Sequence, residues 1–330
     1  MSSRDTSRLD EDDIRSRANP RGSRPRSKQR PAHEDAIEGM VIAVDRGRYT
    51  VLVDDVEVTA MRARELGRKG IAVGDNVRVV GDLSGATDAL ARVVSIAERT
   101  TVLRRTADDS DPLERVIVAN ADQLVVVASL ADPEPSYGLI DRAIVAALTA
   151  GLEPLLCLTK VDLAPPEPVL ARYDELSVPA VVIRRGGPLA ELRERLAGQI
   201  SVLVGHSGVG KSTLINALIP SADRSVGVVS AIGKGRHTST SAVALRLPGP
   251  RNGWAIDTPG VRSFGLAHVT PDDLLWAFPD LEDGATQCPP GCEHLSAEAG
   301  CRLDAWVADG HSTPERLAAF RRLLVSRSAI

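Results

Sequence analysis

Short hydrophobic runs alternate with polar turn residues between Ile37 and Ile96. Turn-forming residues such as Gly47 and the pair Asp54-Asp55 separate the runs. Five runs have the length and composition of β-strands: Gly39 to Val44, Arg48 to Val53, Val56 to Ala60, Asn76 to Gly81 and Ala91 to Ile96. Because five short strands follow one another so closely, the pattern predicts a small β-barrel of the OB type over residues 37–98.

From Glu114 onward, apolar runs alternate with segments of helical period. Five runs predict buried strands: Val116 to Ala119, Gln123 to Ser129, Pro154 to Leu158, Pro179 to Ile183 and Ser201 to Val204. Three segments predict helices: Tyr137 to Ala150, Val169 to Leu176 and Leu189 to Leu196. This rhythm predicts an α/β domain over residues 99–266, whose mostly parallel sheet is covered on both faces and binds ligands at the carboxyl ends of its strands.

A glycine-rich loop of the form G-x-x-x-x-G-K-S follows the strand that ends at Val204. Its residues, continued into the helix that follows, are Gly205, His206, Ser207, Gly208, Val209, Gly210, Lys211, Ser212 and Thr213. In this context backbone N–H groups and the helix N-terminus bind phosphate, Lys211 reaches the β- and γ-phosphates, and the Ser212 hydroxyl ligates Mg²⁺. The loop predicts nucleotide binding without specifying the base.

The base is indicated by a four-residue motif at the end of an earlier strand, composed of Thr159, Lys160, Val161 and Asp162. The carboxylate of Asp162 can accept two hydrogen bonds from N1 and the 2-amino group of guanine, a donor pair that adenine lacks. The Lys160 stem can lie over the ring. Together with the phosphate loop, this motif favours GTP over other nucleotides.

A third motif, Asp257-Thr258-Pro259-Gly260, follows the run Gly253 to Ile256, which predicts a strand. Asp257 can hold the Mg²⁺ shell and the Gly260 N–H can meet the γ-phosphate, so that this turn senses whether the γ-phosphate is present. Upstream, Gly233 to Thr240 form a polar, glycine-rich segment of the kind that becomes ordered around Mg²⁺. We expect Thr238 to be the ligand there, with Thr240 as the alternative.

Three cysteines and one histidine cluster near the C-terminus: Cys288, Cys292, His294 and Cys301. Three thiolates and one imidazole complete a tetrahedral zinc site, and a structural role is favoured because no nearby base is present. Residues 267–330 therefore predict a small helical zinc-binding domain, with one helix from Pro271 to Phe278 that Thr270 caps and another that opens at Thr313-Pro314 and runs to about Arg327. The second helix carries Arg316, Arg321, Arg322 and Arg327. These arginines suit rRNA contact, or the helix packs on its own domain.

Composition and charge restrict the partners and the cellular compartment that we expect for this protein. The chain has 330 residues and a net charge of -4, so contact with nucleic acid would depend on local patches. No apolar run approaches the roughly 20 residues that cross a bilayer, and no signal peptide is visible, so we expect a cytoplasmic protein without membrane contact. In a reducing compartment the clustered cysteines favour a metal over disulfides.

Two N-terminal regions are candidates for RNA contact. Residues 1–36 are polar and basic, and they predict a disordered tail that lies along RNA phosphates or is merely solvated. In the barrel, Tyr49 is the obvious aromatic residue for base stacking, and four basic residues could contact phosphates: Arg62, Arg64, Arg68 and Lys69. Because aromatics are scarce, the barrel favours folded RNA over single strands.

The order of the motifs is unusual, because the guanine motif at Thr159 precedes the phosphate loop at Gly205. In this order, and in the segments Glu98-Arg99-Thr100, Ile140-Asp141-Arg142 and the cysteine cluster, the chain resembles the RsgA/YjeQ family of circularly permuted GTPases. The resemblance implies a GTP hydrolase that binds GTP/GDP, Mg²⁺ and one structural Zn²⁺. It also implies a late assembly factor that binds the small ribosomal subunit and its rRNA and is stimulated by the subunit. We expect a monomer.

The chain departs from the family pattern in the spacing of the cysteine cluster, whose first gap is shorter and whose last gap is longer, and at two places near the predicted base site. Thr159 stands where the family usually has Asn, and Arg184 to Gly187 stand where a Ser-Ala motif backs the base. Val261 occupies the place of the glutamine that orients water in Ras-like enzymes, so hydrolysis by the protein alone should be slow. The resemblance implies that His237 orients the water. The alternatives are a group from the ribosome acting in trans, or a loop histidine without a catalytic role.

Three functions were compatible with these motifs. The first is a Mg²⁺-dependent GTPase stimulated by the subunit, in which GTP favours docking and hydrolysis favours release. The second is a non-catalytic rRNA-binding protein that a nucleotide switches. The third is an ATP-dependent kinase or ATPase, against which Asp162 argues.

Overall fold

A computed structural model describes residues 33–67, 70–106, 114–220, 242–258, 264, 266 and 269–328 of the protein. The basic tail up to residue 32, and Arg68 and Lys69 of the barrel, lie outside these ranges. Within the described ranges, no helix combines the length and the apolar character needed to cross a membrane.

The N-terminal strands close into a five-stranded barrel. They are β1 (Ile37–Asp45), β2 (Arg48–Val53), β3 (Val56–Arg62), β4 (Asn76–Gly81) and β5 (Ala91–Ile96). Their order is β1-β2-β3-β5-β4, and pairing of β1 with β4 closes the ring. Both hairpin turns, Arg46-Gly47 and Asp54-Asp55, have positive φ at their two central residues, which matches the twist of the strands. The predicted barrel is thereby confirmed.

The barrel interior is filled by small β-branched side chains. Val41, Val51, Val58 and Val79 have no exposed surface, because alternate residues of each strand point inward. Tyr49 belongs to the same cluster and is only 8% exposed. The interpretation of Tyr49 as a base-stacking residue is therefore wrong, since its ring is used in the barrel core.

Within the described ranges, eight further strands follow the barrel along the chain. They are β6 (Val102–Thr106), β7 (Glu114–Ala119), β8 (Gln123–Ser129), β9 (Glu153–Thr159), β10 (Ala180–Ile183), β11 (Ile200–Val204), β12 (Val243–Arg246) and β13 (Trp254–Asp257). Strands β6 and β7 form a separate hairpin. The other six have the order β10-β9-β8-β11-β13-β12, in which all neighbours are parallel except β12 and β13. The predicted, mostly parallel sheet is confirmed, whereas β6 and β12 were not predicted.

Helices cover both faces of this sheet. They are α1 (Tyr137–Thr149), α2 (Glu167–Tyr173), α3 (Ala190–Leu196) and α4 (Lys211–Leu218). Ile140 and Ile144 of α1 pack in one buried cluster with residues of β8 and β9. Leu192 of α3 and Leu214 of α4 pack in a second cluster on residues of the same strands. Burial on both faces explains why β8, with every residue buried, shows no alternation of polar and apolar positions.

The C-terminal segment is helical. Its helices are α5 (Pro271–Leu275), α6 (Pro279–Ala285), α7 (Leu303–Ala308) and α8 (Pro314–Ser328). Thr270 and Asp273 cap α5 reciprocally, as the sequence predicted. The predicted continuation of this helix to Phe278 is wrong, because the helix ends at Leu275 and Pro279 begins the next one. Phe278 and Phe320 pack edge to face in the same buried cluster as α1.

The barrel joins the α/β sheet through close backbone contacts. Gly74 has a φ of +88°, and a Cβ there would lie 2.0 Å from the carbonyl oxygen of Ala119, so only glycine fits. Arg99 binds both carboxylate oxygens of the buried Asp75, at 2.7 and 2.8 Å. In addition, Ala43 of β1 pairs with Val243 of β12. The barrel is thus fixed to the edge of the sheet.

Candidate nucleotide and metal sites

The glycine-rich loop lies at the carboxyl end of β11 and leads into α4. Gly208 and Gly210 have φ values of +88° and +94°, in the region that glycine adopts without strain. At Gly205 a Cβ would lie 2.4 Å from the carbonyl oxygen of Val127, so the loop can press against β8 only because this residue is glycine. No side chain caps the N-terminus of α4. The loop and the first turn of α4 therefore offer backbone N–H groups to an anion.

Lys211, the first residue of α4, is held by the third motif. Its Nζ donates to Oδ1 of Asp257 and, at 3.1 Å, to the carbonyl oxygen of Thr258. The Thr258 hydroxyl in turn donates to the carbonyl oxygen of Leu203 at 2.7 Å. These contacts arise because β11 and β13 are parallel neighbours whose carboxyl ends meet at one edge. The carboxylate of Asp257 thus neutralises the Lys211 ammonium group, which phosphate oxygens could neutralise in its place.

The predicted guanine motif lies beside the same loop. The buried hydroxyl of Thr159 donates to the carbonyl oxygen of Val209 at 2.7 Å. Lys160 Nζ donates to the carbonyl oxygens of Gly208, at 3.0 Å, and Asp132. The motif and the phosphate loop are far apart in sequence but joined directly in space, because β9 and β11 both flank β8.

Asp162, the last residue of the guanine motif, is exposed to solvent. One carboxylate oxygen accepts the Arg185 backbone N–H at 3.2 Å, which brings the loop after β10 against the guanine motif. That hydrogen bond, a second from its own N–H and the charges of Arg184 and Arg185 lower the pKa of Asp162. The group is therefore ionised at neutral pH and acts as an acceptor only, as recognition of the two guanine donors requires.

Several predicted site residues fall outside the described part of the chain. They are His237, Thr238, Thr240, Gly260 and Val261. Ser212 is described and is exposed on the first turn of α4, next to Lys211. The assignments of these residues remain predictions.

The cysteine cluster brings four possible ligands together. One ligand atom from each of Cys288, Cys292, His294 and Cys301 lies within 4.8 Å of the others. The Sγ atoms of Cys288 and Cys301 are 4.0 Å apart, close to the roughly 3.8 Å between two thiolates on a tetrahedral zinc ion. His294 Nδ1 lies 3.8 Å from Cys301 Sγ, so this nitrogen faces the cluster. The donor set is compatible with one tetrahedral zinc ion.

Comparisons with known proteins identify the family of this chain. The family model described as RsgA GTPase matches residues 96–267. A relative from Pseudomonas syringae pv. syringae (strain B728a), named small ribosomal subunit biogenesis GTPase RsgA, is 36% identical over 301 residues. The alignment covers 87% of this chain and 85% of that relative. The chain belongs to the RsgA GTPase family.

A second relative matches over a shorter span, and a solved structure matches in fold. A relative of the same name from Ectopseudomonas mendocina (strain ymp) is 41% identical over 220 residues, which cover 64% of this chain and 63% of that relative. The crystal structure of YloQ, described as a circularly permuted GTPase, matches with a TM-score of 0.62 and 23% identity. That match covers 90% of this chain and 96% of YloQ, so the fold extends over the barrel, the permuted GTPase sheet and the C-terminal segment.

In this member of the RsgA family, two charged residues support the segment that carries the four possible zinc ligands. Asp272 Oδ1 lies 3.6 Å from His294 Nε2, on the side of the ring away from Cys301. Arg321 Nε donates to the carbonyl oxygen of His294 at 3.0 Å, and its Nη1 and Nη2 bind Asp304 at 2.8 and 2.6 Å. Burial raises the pKa of the Cys301 thiol to about 11, so a cation is needed to hold it as a thiolate at neutral pH.

The arginines of α8 are used inside the protein. Arg316 binds Asp280, Arg321 binds Asp304, Arg322 donates to the carbonyl oxygen of Arg172, and Arg327 donates to that of Val269. Of the two alternatives for this helix, the contacts favour packing on its own protein over rRNA contact. Sequence reasoning could not separate them, because a helical charge pattern does not identify the partner.

We predict that Thr159→Ala weakens GDP binding about tenfold, since a net loss of 0.5–1.5 kcal/mol is usual for one hydrogen bond and the buried Val209 carbonyl is also left unpaired. Thr159→Ser is the matched control, because its hydroxyl can reach the same carbonyl. Titration calorimetry with GDP measures both. Equal affinity of the alanine variant and the wild type would show that this hydrogen bond does not position the loop.

We predict that Asp272→Asn weakens zinc binding about tenfold. This is at the low end of the losses in metal affinity that follow removal of a carboxylate that orients a ligating histidine. We expect a small loss because Asp272 is largely exposed. Competition with a chromogenic chelator gives the affinity. Asp283→Asn, an exposed change on α6, should leave it unaltered. If the two variants bind zinc equally well, Asp272 does not orient His294.

Proposed function

We propose that this protein is a Mg²⁺-dependent GTPase that hydrolyses GTP to GDP and phosphate, binds the small ribosomal subunit and acts in its late assembly. The observation that carries the proposal is the joining of the guanine motif to the phosphate loop by the Thr159 hydroxyl and Lys160 Nζ. Relatives named small ribosomal subunit biogenesis GTPase support the role in assembly.

Each predicted site residue has a role in this proposal. Asp162 recognises the guanine edge, and Lys160 and Val161 shape its loop. Residues Gly205–Thr213 bind the phosphates through backbone N–H groups, and Lys211 exchanges Asp257 for the β- and γ-phosphates. Ser212 and Thr238 would ligate Mg²⁺, and Asp257 would hold the shell around the ion. When bound, Mg²⁺ would neutralise charge on the phosphates. Gly260 contacts the γ-phosphate.

The attacking water must be oriented by a group other than Val261, whose side chain has no polar atom. We assign this role to His237, brought over the γ-phosphate when the ribosomal subunit orders its loop. Hydrolysis is then slow until the subunit is bound. The nucleotide state decides affinity for the subunit, with GTP favouring docking and GDP favouring release.

The proposal assigns a function to each part of the chain. Residues 1–36 form a basic tail, residues 37–98 an OB barrel that contacts rRNA, residues 99–266 the permuted GTPase domain, and residues 267–330 the zinc-binding domain. One structural Zn²⁺ is bound by the three cysteines and His294. The protein acts in the cytoplasm as a monomer.

Release of phosphate from GTP, with and without purified small subunits, tests the proposal. We expect the subunits to increase turnover at least tenfold, an effect that corresponds to a coupling free energy within the usual range of about 1–3 kcal/mol. His237→Ala should remove most of the increase. No increase in the wild type would favour a non-catalytic, nucleotide-switched RNA-binding protein, and equal turnover of ATP would contradict the guanine assignment.

A further inference from the structure

Helix α1 carries the triplet Ile140-Asp141-Arg142, which has no part in the nucleotide or zinc site described above. Ile140 is buried in the core. Asp141 is also buried, with only 3% of its surface exposed, which is unusual for a carboxylate. A buried charge needs partners, and the partners of Asp141 come from two other helices.

Asp141 joins α1 to α2 and α8. Its Oδ2 atom lies 3.3 Å from Arg172 Nη2 and 3.5 Å from Arg322 Nε. Arg322 also donates to the carbonyl oxygen of Arg172 at 3.0 Å. Because α2 follows the guanine motif and α8 belongs to the zinc-binding segment, this carboxylate connects the nucleotide-binding part of the chain to its C-terminal part.

Aromatic rings support the two arginines. The Arg172 guanidinium lies 4.8 Å from the centre of the Tyr137 ring, and the Arg322 guanidinium lies 5.5 Å from that of Tyr173. Such cation–π contacts keep both side chains beside Asp141. The cluster therefore has a defined geometry.

The cluster is nevertheless incompletely satisfied. Among the described residues, Oδ1 of Asp141 and the Nε atoms of Arg172 and Arg322 have no hydrogen-bond partner. One carboxylate faces two guanidinium groups, which leaves an excess positive charge. Unsatisfied buried groups offset part of the stabilisation that the ion pairs provide.

The other side of α1 reaches the nucleotide site. Arg142 Nη2 donates to the carbonyl oxygen of Phe264 at 3.4 Å, shortly after the Asp257 motif in the chain. A cavity of about 120 Å³ is lined by Leu139 and Ile140 of α1 together with His206 and Val209 of the phosphate loop. Helix α1 therefore faces the phosphate loop across this cavity and contacts the segment after Asp257.

We propose that α1 links the nucleotide site to the zinc-binding segment, and that Asp141 is the positioning residue of this link through Arg172 and Arg322. Nucleotide exchange alters α1, and the Asp141 cluster transmits the change to α8 and the zinc-binding helices. The inference rests on the proposed function, because the consequence of the link is a change in subunit-stimulated GTP turnover.

The test compares Asp141→Asn with wild type in the full chain loaded with zinc. Basal GTP turnover and zinc content should remain within twofold of wild type, whereas subunit-stimulated turnover should fall about tenfold, as for loss of a typical coupling free energy. Amide hydrogen exchange in α8 should differ between GDP and a non-hydrolysable GTP analogue in wild type, and this difference should disappear in the variant.

Two further variants keep the test decisive if Asp141→Asn does not fold. Arg322→Gln, at a partly exposed site, should reproduce the loss of stimulation, and Asp141→Glu should restore part of it by retaining the charge. Glu167→Gln, an exposed change on α2, is the matched control and should behave as wild type.

The outcomes separate this inference from the proposed function. If small subunits do not stimulate the wild type, the proposed function fails. If they stimulate the wild type and Arg322→Gln or Asp141→Asn equally, the inference is overturned. An equal fall in basal and stimulated turnover would also overturn it, because the cluster would then serve only the integrity of the GTPase domain.

Discussion

Lys211→Ala is expected to lower GTP turnover by about a hundredfold or more, the usual loss when one charged group that stabilises developing negative charge is removed. The structure shows how this lysine is positioned. Lys211 Nζ lies at the start of α4 and is directed by Asp257 and the Thr258 carbonyl towards the edge where the phosphate loop opens. Without it, the carboxylate of Asp257 would face the phosphates unopposed.

The measurement is phosphate release at saturating GTP, with and without small subunits. Arg251→Ala is the matched control, because this exposed cation precedes β13, at the opposite edge of the sheet from Asp257. It should retain full turnover. If Lys211→Ala hydrolysed GTP as fast as the control, the glycine-rich loop would not be the site of hydrolysis.

Cys301→Ala is expected to abolish zinc binding and to lower the melting temperature of the full chain by about 6 °C. Zinc at a thousandfold above its dissociation constant contributes about 4 kcal/mol of stability. With an unfolding entropy of about 2.1 cal/mol/K per residue, each kcal/mol corresponds to about 1.5 °C in a chain of 330 residues. The loss should be largest around α7 and α8, because Cys301 immediately precedes α7 and Arg321 of α8 holds the His294 backbone.

Calorimetry of the zinc-loaded chain with and without a chelator gives the same comparison without mutation. Cys157→Ala is the control for zinc content, because Cys157 is buried in β9, away from the cluster, and it should retain one zinc per chain. A melting temperature that is unchanged when zinc is removed would contradict a structural role for the metal.

The fold could be predicted from sequence where the pattern was local. The five barrel runs, the buried strands β8 and β9 and the helix after Gly210 carry their own signals of period and glycine position. Strand β12 has four residues, and β6 continues into Arg104 and Arg105, so neither gives a hydrophobic signal of its own. Strand β12 is stabilised in part by pairing with the distant β1, which a local pattern cannot show, and β6 depends on its hairpin partner β7.

The candidate sites were predictable as motifs but not as contacts. The sequence indicated that Thr159 and Gly205 serve one ligand. It could not show that the Thr159 hydroxyl donates to Val209, because that bond depends on the order of β9, β8 and β11. The inward roles of Arg316 and Arg321, and the burial of Tyr49, likewise depend on packing between distant segments.

The central claim is that the guanine motif and the phosphate loop form a single pocket for a guanine nucleotide. Competition of GDP and ADP for the wild-type protein, measured by displacement of a fluorescent guanine nucleotide, tests it most directly. Because Asp162 is an ionised acceptor that adenine cannot satisfy, GDP should bind about a hundredfold or more tightly than ADP. Equal affinity for the two nucleotides would contradict the claim.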